Sequence, residues 1–110
     1  MTNAFQDREK GFENKWAHDE ELHFKVIIRR NKLLGLWAAG EMGITGPEAD
    51  EYAKAVAQVD FLEPGHEDVV RKIRQDFDAH KVTISDHVIR RQMEDLTKVA
   101  GEQLMGDAKP

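Results

Sequence analysis

The stretch DEELHFKVIIRRNKLLGLWAAGEM, residues 19–42, decides the fold of this chain. Its large apolar residues recur at spacings of four, seven and four, which places them on one face of an α-helix. They are Leu22, Val26, Leu33 and Trp37, with Ile27, Leu34 and Leu36 widening the same face. Gly43 follows, and glycine readily accepts the left-handed conformation past a helix end. We predict a helix from about Asp19 to Met42, with Gly35 permitting close packing of a neighbouring helix.

Three further helices follow from the same periodicity and from the residues at their ends. The second begins at Thr45-Gly46-Pro47-Glu48, which fits a capping box, and ends before Pro64, because proline pushes its preceding residue out of helical conformation. The third runs from about His66 to His80, and the fourth follows Ser85, a good N-cap residue. The residues expected to face the core are Ala49, Tyr52, Ala53, Val56, Val59, Val69, Val70, Ile73, Phe77, Ile89, Met93, Leu96, Ala100 and Leu104.

Short connections between these helices favour an antiparallel arrangement. The sequence therefore predicts an all-α fold, a four-helix bundle with a flexible or marginally helical N-terminal arm. In this organisation residues 1–18 form the arm, residues 19–105 form the four-helix domain, and residues 106–110 form a frayed tail.

The composition excludes several classes of function. At 110 residues, 40% hydrophobic and 34% charged, the chain is long enough for one domain with a single core. It contains no cysteine, which excludes disulfides, zinc thiolate sites and thiol nucleophiles. The net charge of −5 disfavours nucleic acid, because phosphate-neutralising proteins are normally basic. Since neither a signal segment nor an apolar run of membrane-spanning length is present, we expect a soluble cytoplasmic protein without direct membrane insertion.

The titratable residues form no catalytic or metal-binding pattern. The histidines lack the spacing of a shared ligand set; they are His18, His23, His66, His80 and His87. The carboxylates of residues 19–21 are interpreted as a solvated first helical turn, favoured there by the helix dipole. No glycine-rich phosphate loop is present either. We therefore expect no catalytic residue, no metal and no enzymatic activity.

Two basic clusters admit two interpretations. Arg29, Arg30 and Lys32 form the first cluster, and Arg90 and Arg91 form the second. The simpler interpretation is an exposed helix face whose cations pair with the many acidic residues. The alternative is an anion site on the bundle that binds an adenine nucleotide as a ligand. No other cofactor is expected.

The N-terminal arm does not fit the bundle. Phe5, Phe12 and Trp16 are separated by charged residues, and Gly11 disfavours helix formation by about 1 kcal/mol relative to alanine. An isolated helix of this length is marginal in water. In one interpretation Phe12 and Trp16 extend the first helix and pack on the bundle. In the other, the arm becomes ordered on a partner and lays its aromatic side chains into a groove.

Three stretches of the chain carry a resemblance to a known family. They are FQDREKGFENKWAHDEEL at residues 5–22, FK at 24–25 together with RRNKLLGLWAA at 29–39, and SDHVIRRQM at 85–93. In these stretches the chain resembles the alphaproteobacterial F1-ATPase inhibitor subunit zeta. The resemblance covers nearly the whole chain in order, and residues 47–80 match most loosely.

The resemblance implies a four-helix fold whose N-terminal segment inserts at a catalytic α/β interface of the F1 head and blocks ATP hydrolysis. It implies the F1 α, β and γ subunits as partners, and a peripheral position at the inner membrane through F1. Within the segment, residue type leads us to assign apolar anchoring to Phe5, Phe12 and Trp16. The polar contacts are assigned to Arg8, Glu9, Glu13 and Lys15.

Overall fold

Four α-helices make up the part of the chain that the computed structural model describes, residues 20–59 and 66–107. They are α1 (Glu20–Glu41), α2 (Pro47–Val59), α3 (Glu67–Ala79) and α4 (Asp86–Asp107). No strand occurs in these residues, so the predicted all-α fold is confirmed. The predicted starts agree to within a residue, whereas α4 continues to Asp107 instead of ending at residue 105.

The ends of the helices were predicted with mixed success. Past α1, Gly43 has φ +76°, and the amide of Ile44 donates to the carbonyl of Ala39 at 2.8 Å, so the predicted glycine stop is confirmed. Ser85 caps α4, because its Oγ accepts a hydrogen bond from the amide of Val88. The predicted capping box at Thr45 and Glu48 is wrong for the residues that the structure describes. The first turn of α2 closes instead on the carbonyl of Gly46, which has φ +66°.

Helix α1 is the central element of the bundle, since it contacts α2, α3 and α4 and its packing against α2 and α4 is the most extensive between any two helices. The core lies between these helices, and Trp37 and Phe77 meet there edge to face with ring centroids 5.8 Å apart. The buried residues of the main core cluster are Leu34, Ala38, Val56, Val69, Val70, Ile73, Phe77, Ile89 and Met93. Most of the residues predicted to face inward on the second, third and fourth helices are among them or pack against them.

The buried face of α1 is rotated from the predicted one. The fully buried positions recur every four residues and are Val26, Arg30, Leu34 and Ala38, with Asn31, Gly35 and Ala39 beside them. The predicted stripe residues Leu22, Leu33 and Trp37 are only half-buried. Several helices pack around α1, and its most buried residues lie between the faces that are turned towards each of these helices. They include Arg30, a charged residue that periodicity assigned to the surface.

Gly35 marks the closest approach of two helices. A Cβ atom built on Gly35 would lie 2.7 Å from the Cα of Ala53 and 3.3 Å from the Cβ of Val56. A distance of 2.7 Å is shorter than real Cβ contacts allow, so only glycine lets α1 and α2 pack at this separation. The prediction that Gly35 permits close helix packing is confirmed.

Polar contacts fix α3 relative to its neighbours. The hydroxyl of Tyr52 on α2 donates to Asp76 Oδ2 at 2.7 Å, and Lys72 Nζ also donates to that oxygen at 3.1 Å. Burial of the phenol, followed by the hydrogen bond to Asp76, raises the pKa of Tyr52. Arg74 donates to the carbonyls of Val82 and Ile84, which holds the segment between α3 and α4 along α3.

Candidate functional site

The residues predicted to bind the partner all lie outside the described residues. Phe5, Arg8, Glu9, Phe12, Glu13, Lys15 and Trp16 fall within residues 1–19. Their assignment therefore stays a prediction. The structure does describe the position at which this segment joins the bundle: α1 begins at Glu20, directly after it.

One large apolar side chain in the first turns of α1 is only half buried. Phe24 is 50% exposed, whereas Val26, two residues later, is completely buried. Next to Phe24, Lys25 Nζ lies 3.3 Å from Glu21 Oε1, and both side chains are largely exposed. Glu20 and Glu21 occupy the first turn, where acidic side chains complement the helix dipole. Phe24 is not among the residues predicted to form a site, because it lies beside the predicted apolar stripe.

Arg30 belongs to a buried polar cluster at the middle of α1. Its Nε and Nη2 atoms donate to Asn31 Oδ1 at 3.0 and 2.8 Å, and Nη2 also donates to His66 Nδ1 at 3.2 Å. Arg30 is only 3% exposed and Asn31 is completely buried. Burying a guanidinium without hydrogen-bond partners would cost several kcal/mol of desolvation free energy. The side chain of Arg30 can therefore be buried here only because these hydrogen bonds form.

Arg90 on α4 reaches the same end of α3. Its Nη2 atom donates to Glu67 Oε2 at 2.8 Å, and its Nε atom donates to Glu67 Oε1 at 3.2 Å. The hydrogen bond from Arg90 lowers the pKa of Glu67, and the same bond raises the pKa of Arg90. Because both side chains are exposed, this pair contributes little to stability, and its main effect is to orient the two groups.

The structure thus brings two members of the predicted basic clusters to adjacent residues, His66 and Glu67. The expectation that Arg30 lies on an exposed helix face is wrong: its guanidinium is buried because Asn31 and His66 supply acceptors for it. Arg29 is half-buried, while Lys32 and Arg91 are exposed. His66 is the contact that sequence reasoning missed, since no local pattern links it to a residue 36 positions earlier.

Within residues 20–59 and 66–107, no three histidine or acidic side chains are grouped closely enough to hold a metal ion. Over the same residues, no helix combines the length and the apolar character needed to cross a bilayer.

Comparison with known proteins identifies the class to which this chain belongs, the inhibitor subunits of an ATPase. The sequence model of the family described as ATPase inhibitor subunit zeta matches residues 1–103. The chain therefore belongs to the ATPase inhibitor subunit zeta family. A solved structure, described as a solution NMR structure, is 44% identical with a TM-score of 0.71, over 78% of this chain and 98% of that chain. No curated protein matches the chain.

Proposed function

We propose that this protein inhibits ATP hydrolysis by F1-ATPase, and that its N-terminal segment is the inhibitory element. The segment would insert at a catalytic interface between an α and a β subunit and reach towards the γ rotor. The observation that carries the proposal is the family match, which begins at residue 1 and so includes the whole arm together with the bundle. In this proposal the protein is a regulator without catalytic activity of its own, held peripherally at the inner membrane through F1.

The physical basis of inhibition is selective binding to one state of the interface. Rotary catalysis opens and closes each α/β interface in turn. A wedge that binds the closed form shifts the equilibrium only by its difference in affinity for the two forms. Phe5, Phe12 and Trp16 would supply apolar contact area to such a wedge, and Arg8, Glu9, Glu13 and Lys15 would fix its register.

The bundle contributes a firm attachment for the arm. A segment that becomes ordered on binding loses part of its interaction energy to that ordering. A folded domain that stays close to F1 raises the local concentration of the arm and offsets part of this loss. Helix α1 suits this role, because it follows the arm directly and contacts all three other helices.

Replacing Phe12 and Trp16 together with alanine tests the assignment of the arm. We expect the concentration for half-inhibition of isolated F1 to rise by on the order of 30-fold, because two aromatic anchors are lost from the interface. The melting temperature of the free protein should change little, since the core lies in α1 to α4. The measurements are ATP hydrolysis by F1 at increasing inhibitor concentration and thermal unfolding followed by circular dichroism.

The matched control is Asn14→Ala, which truncates a polar side chain between the two aromatics and should inhibit like the wild type. A large fall in melting temperature in the double variant, with inhibition preserved, would show that Phe12 and Trp16 pack on the bundle. That result would remove the proposed role of these two residues.

A second candidate function is the binding of an adenine nucleotide, favoured by the convergence of Arg30 and Arg90 on His66 and Glu67. The first amides of α3 lie at the same place, and a helix N-terminus attracts phosphate. Because Glu67 already engages Arg90, a phosphate group would have to displace its carboxylate. We expect Glu67→Gln to tighten binding. Titration with ATP followed by amide chemical shifts tests this candidate, and unchanged shifts at residues 29–32 and 90–91 would eliminate it.

A further inference from the structure

We propose that α3 is a lid, a helix that opens as a unit while α1, α2 and α4 stay packed together. This opening is a property of the four-helix domain and does not depend on the inhibitory role proposed for the arm. Three observations support it. They are the position of α3 over the other helices, the presence of two sets of buried residues, and the kind of polar contact that fastens α3 to its neighbours.

Helix α3 covers a groove that the other three helices form. Helix α1 packs extensively against both α2 and α4, whereas within residues 20–59 and 66–107 no close backbone approach joins α2 to α4. Helix α3 contacts all three, but each of these contacts is less extensive than those of α1 with α2 and α4. Helix α1 is therefore the floor of the groove, α2 and α4 are its walls, and α3 lies across its opening.

Helix α3 fills this groove with one apolar face. Its buried side chains include Ile73 and Phe77, and Phe77 is the largest completely buried side chain of the described residues. The floor and the walls contribute the other buried members of the main core cluster, which are Leu34, Ala38, Val56, Ile89 and Met93. On the remaining surface of α3, Arg71, Gln75 and Asp78 are exposed. The helix thus has an apolar side towards the groove and a polar side towards water, as a cover requires.

A second set of buried residues holds α1, α2 and α4 together without α3. The buried apolar residues of the described helices that lie outside the main core cluster are Val26, Ala39, Ala53, Ala57 and Ala100. All of them lie on α1, α2 or α4. Their small side chains fit the close backbone packing at Gly35, where an added Cβ would lie 2.7 Å from the Cα of Ala53. None of this packing is lost when α3 moves away.

Polar contacts fasten α3 to the two walls of the groove. The hydroxyl of Tyr52 on α2 donates to Asp76 Oδ2 at 2.7 Å, and Arg90 Nη2 on α4 donates to Glu67 Oε2 at 2.8 Å. Both side chains of the second contact are exposed, so water replaces it at little cost in free energy. These contacts close the lid, and they are broken both when α3 opens and when the whole domain unfolds.

Opening of the lid must cost less free energy than complete unfolding, because the second set of buried residues stays packed. A detached helix of 13 residues is marginal in water, so α3 melts once it leaves the groove. Its backbone amides then exchange their hydrogens with the solvent, while those of the other helices stay protected. In this open state the apolar groove along α1 faces water.

Native-state hydrogen exchange of the full-length protein at increasing urea concentration tests this opening. We expect the protection factors of the amides of Ile73 and Phe77 to be at least about tenfold lower than those of Leu34 and Met93. Protection should also decrease less steeply with urea in α3, because the open state exposes less surface than the unfolded state. Equal protection and equal urea dependence in all four helices would overturn the proposal, and so would a wall helix that opens before α3.

A matched pair of variants separates opening of the lid from complete unfolding. Gly40→Ala adds a Cβ that meets nothing within 4 Å on α1, a helix that stays folded in the open state. It should raise the protection of α1, α2 and α4 up to roughly fivefold and leave that of α3 unchanged. Tyr52→Phe removes a contact that both processes break, so it should lower the protection of all four helices roughly fivefold.

The response of α3 to Gly40→Ala is the deciding measurement. If α3 gains as much protection as α1 in this variant, α3 opens only when the whole domain unfolds, and the lid does not exist. Unchanged protection of α3 beside increased protection of α1 shows that the open state keeps α1 folded.

Discussion

Removal of residues 2–18 is expected to abolish inhibition of ATP hydrolysis, raising the concentration for half-inhibition at least about 100-fold. The deletion removes every residue assigned to the wedge, because all of them lie between Phe5 and Trp16. The four-helix domain should remain folded, because its buried core residues lie between Val26 and Ala100. Full-length and shortened proteins are compared in the same F1 assay, and their unfolding is compared by circular dichroism.

A control for this deletion keeps the length and composition of the arm but shuffles the order of residues 2–18. If the specific sequence forms the wedge, the shuffled protein should inhibit as poorly as the shortened one. Equal inhibition by full-length and shortened proteins would show that the arm is not the inhibitor. The site would then have to lie on the bundle.

Gly35→Ala is expected to destabilise the bundle by about 1–2 kcal/mol, even though alanine is a better helix former than glycine. Alanine contributes roughly 1 kcal/mol through helix propensity, whereas forcing an atom into a close-packed contact costs about 1–3 kcal/mol or more. Here the contact is severe: the added Cβ would lie 2.7 Å from the Cα of Ala53, and backbone cannot rotate away as a side chain can. The helices α1 and α2 would have to separate, which loosens the core around Val56.

Gly40→Ala supplies the opposite expectation on the same helix. A Cβ built on Gly40 meets nothing within 4 Å, so only helix propensity acts. We expect stabilisation of up to about 1 kcal/mol, or roughly 4–8 °C in melting temperature for a domain of this size. Thermal unfolding of both variants checks the pair. If the two variants shift the melting temperature in the same direction, close packing at Gly35 does not determine how Gly35→Ala changes the stability.

The features that sequence predicted well depend on neighbours in the chain. Gly43 and Ser85 act through hydrogen bonds to residues within a few positions, and the helices that they delimit follow from local periodicity. Thr45 was the exception. Gly46, which has a positive φ, precedes α2, and the predicted capping box does not form. Local sequence signals identify the residues at which a helix could begin or end. The backbone conformation of the preceding turn then determines which of these residues is used.

The features that sequence missed depend on distant residues. From the sequence alone, Arg30 is expected to be a surface cation, because nothing nearby in the chain indicates that the packing of α3 brings His66 beside it. The exposure of Phe24 likewise follows from which face of α1 its neighbours cover, and periodicity alone cannot say how wide that face is. The arm is included in the family match over residues 1–103, while its bounds and the role of each of its side chains stay predictions for mutagenesis.

The central position of α1 has a mechanical consequence. A pull on the N-terminus enters the domain through a helix that touches all three others. To extract α1, that pull must slide it past several neighbours together, so the load is shared over many side-chain contacts instead of concentrating at one edge. A terminal helix at the periphery could be peeled away stepwise under much smaller force. If the arm is the inhibitory element as proposed, this architecture gives it an attachment that resists tension along the chain.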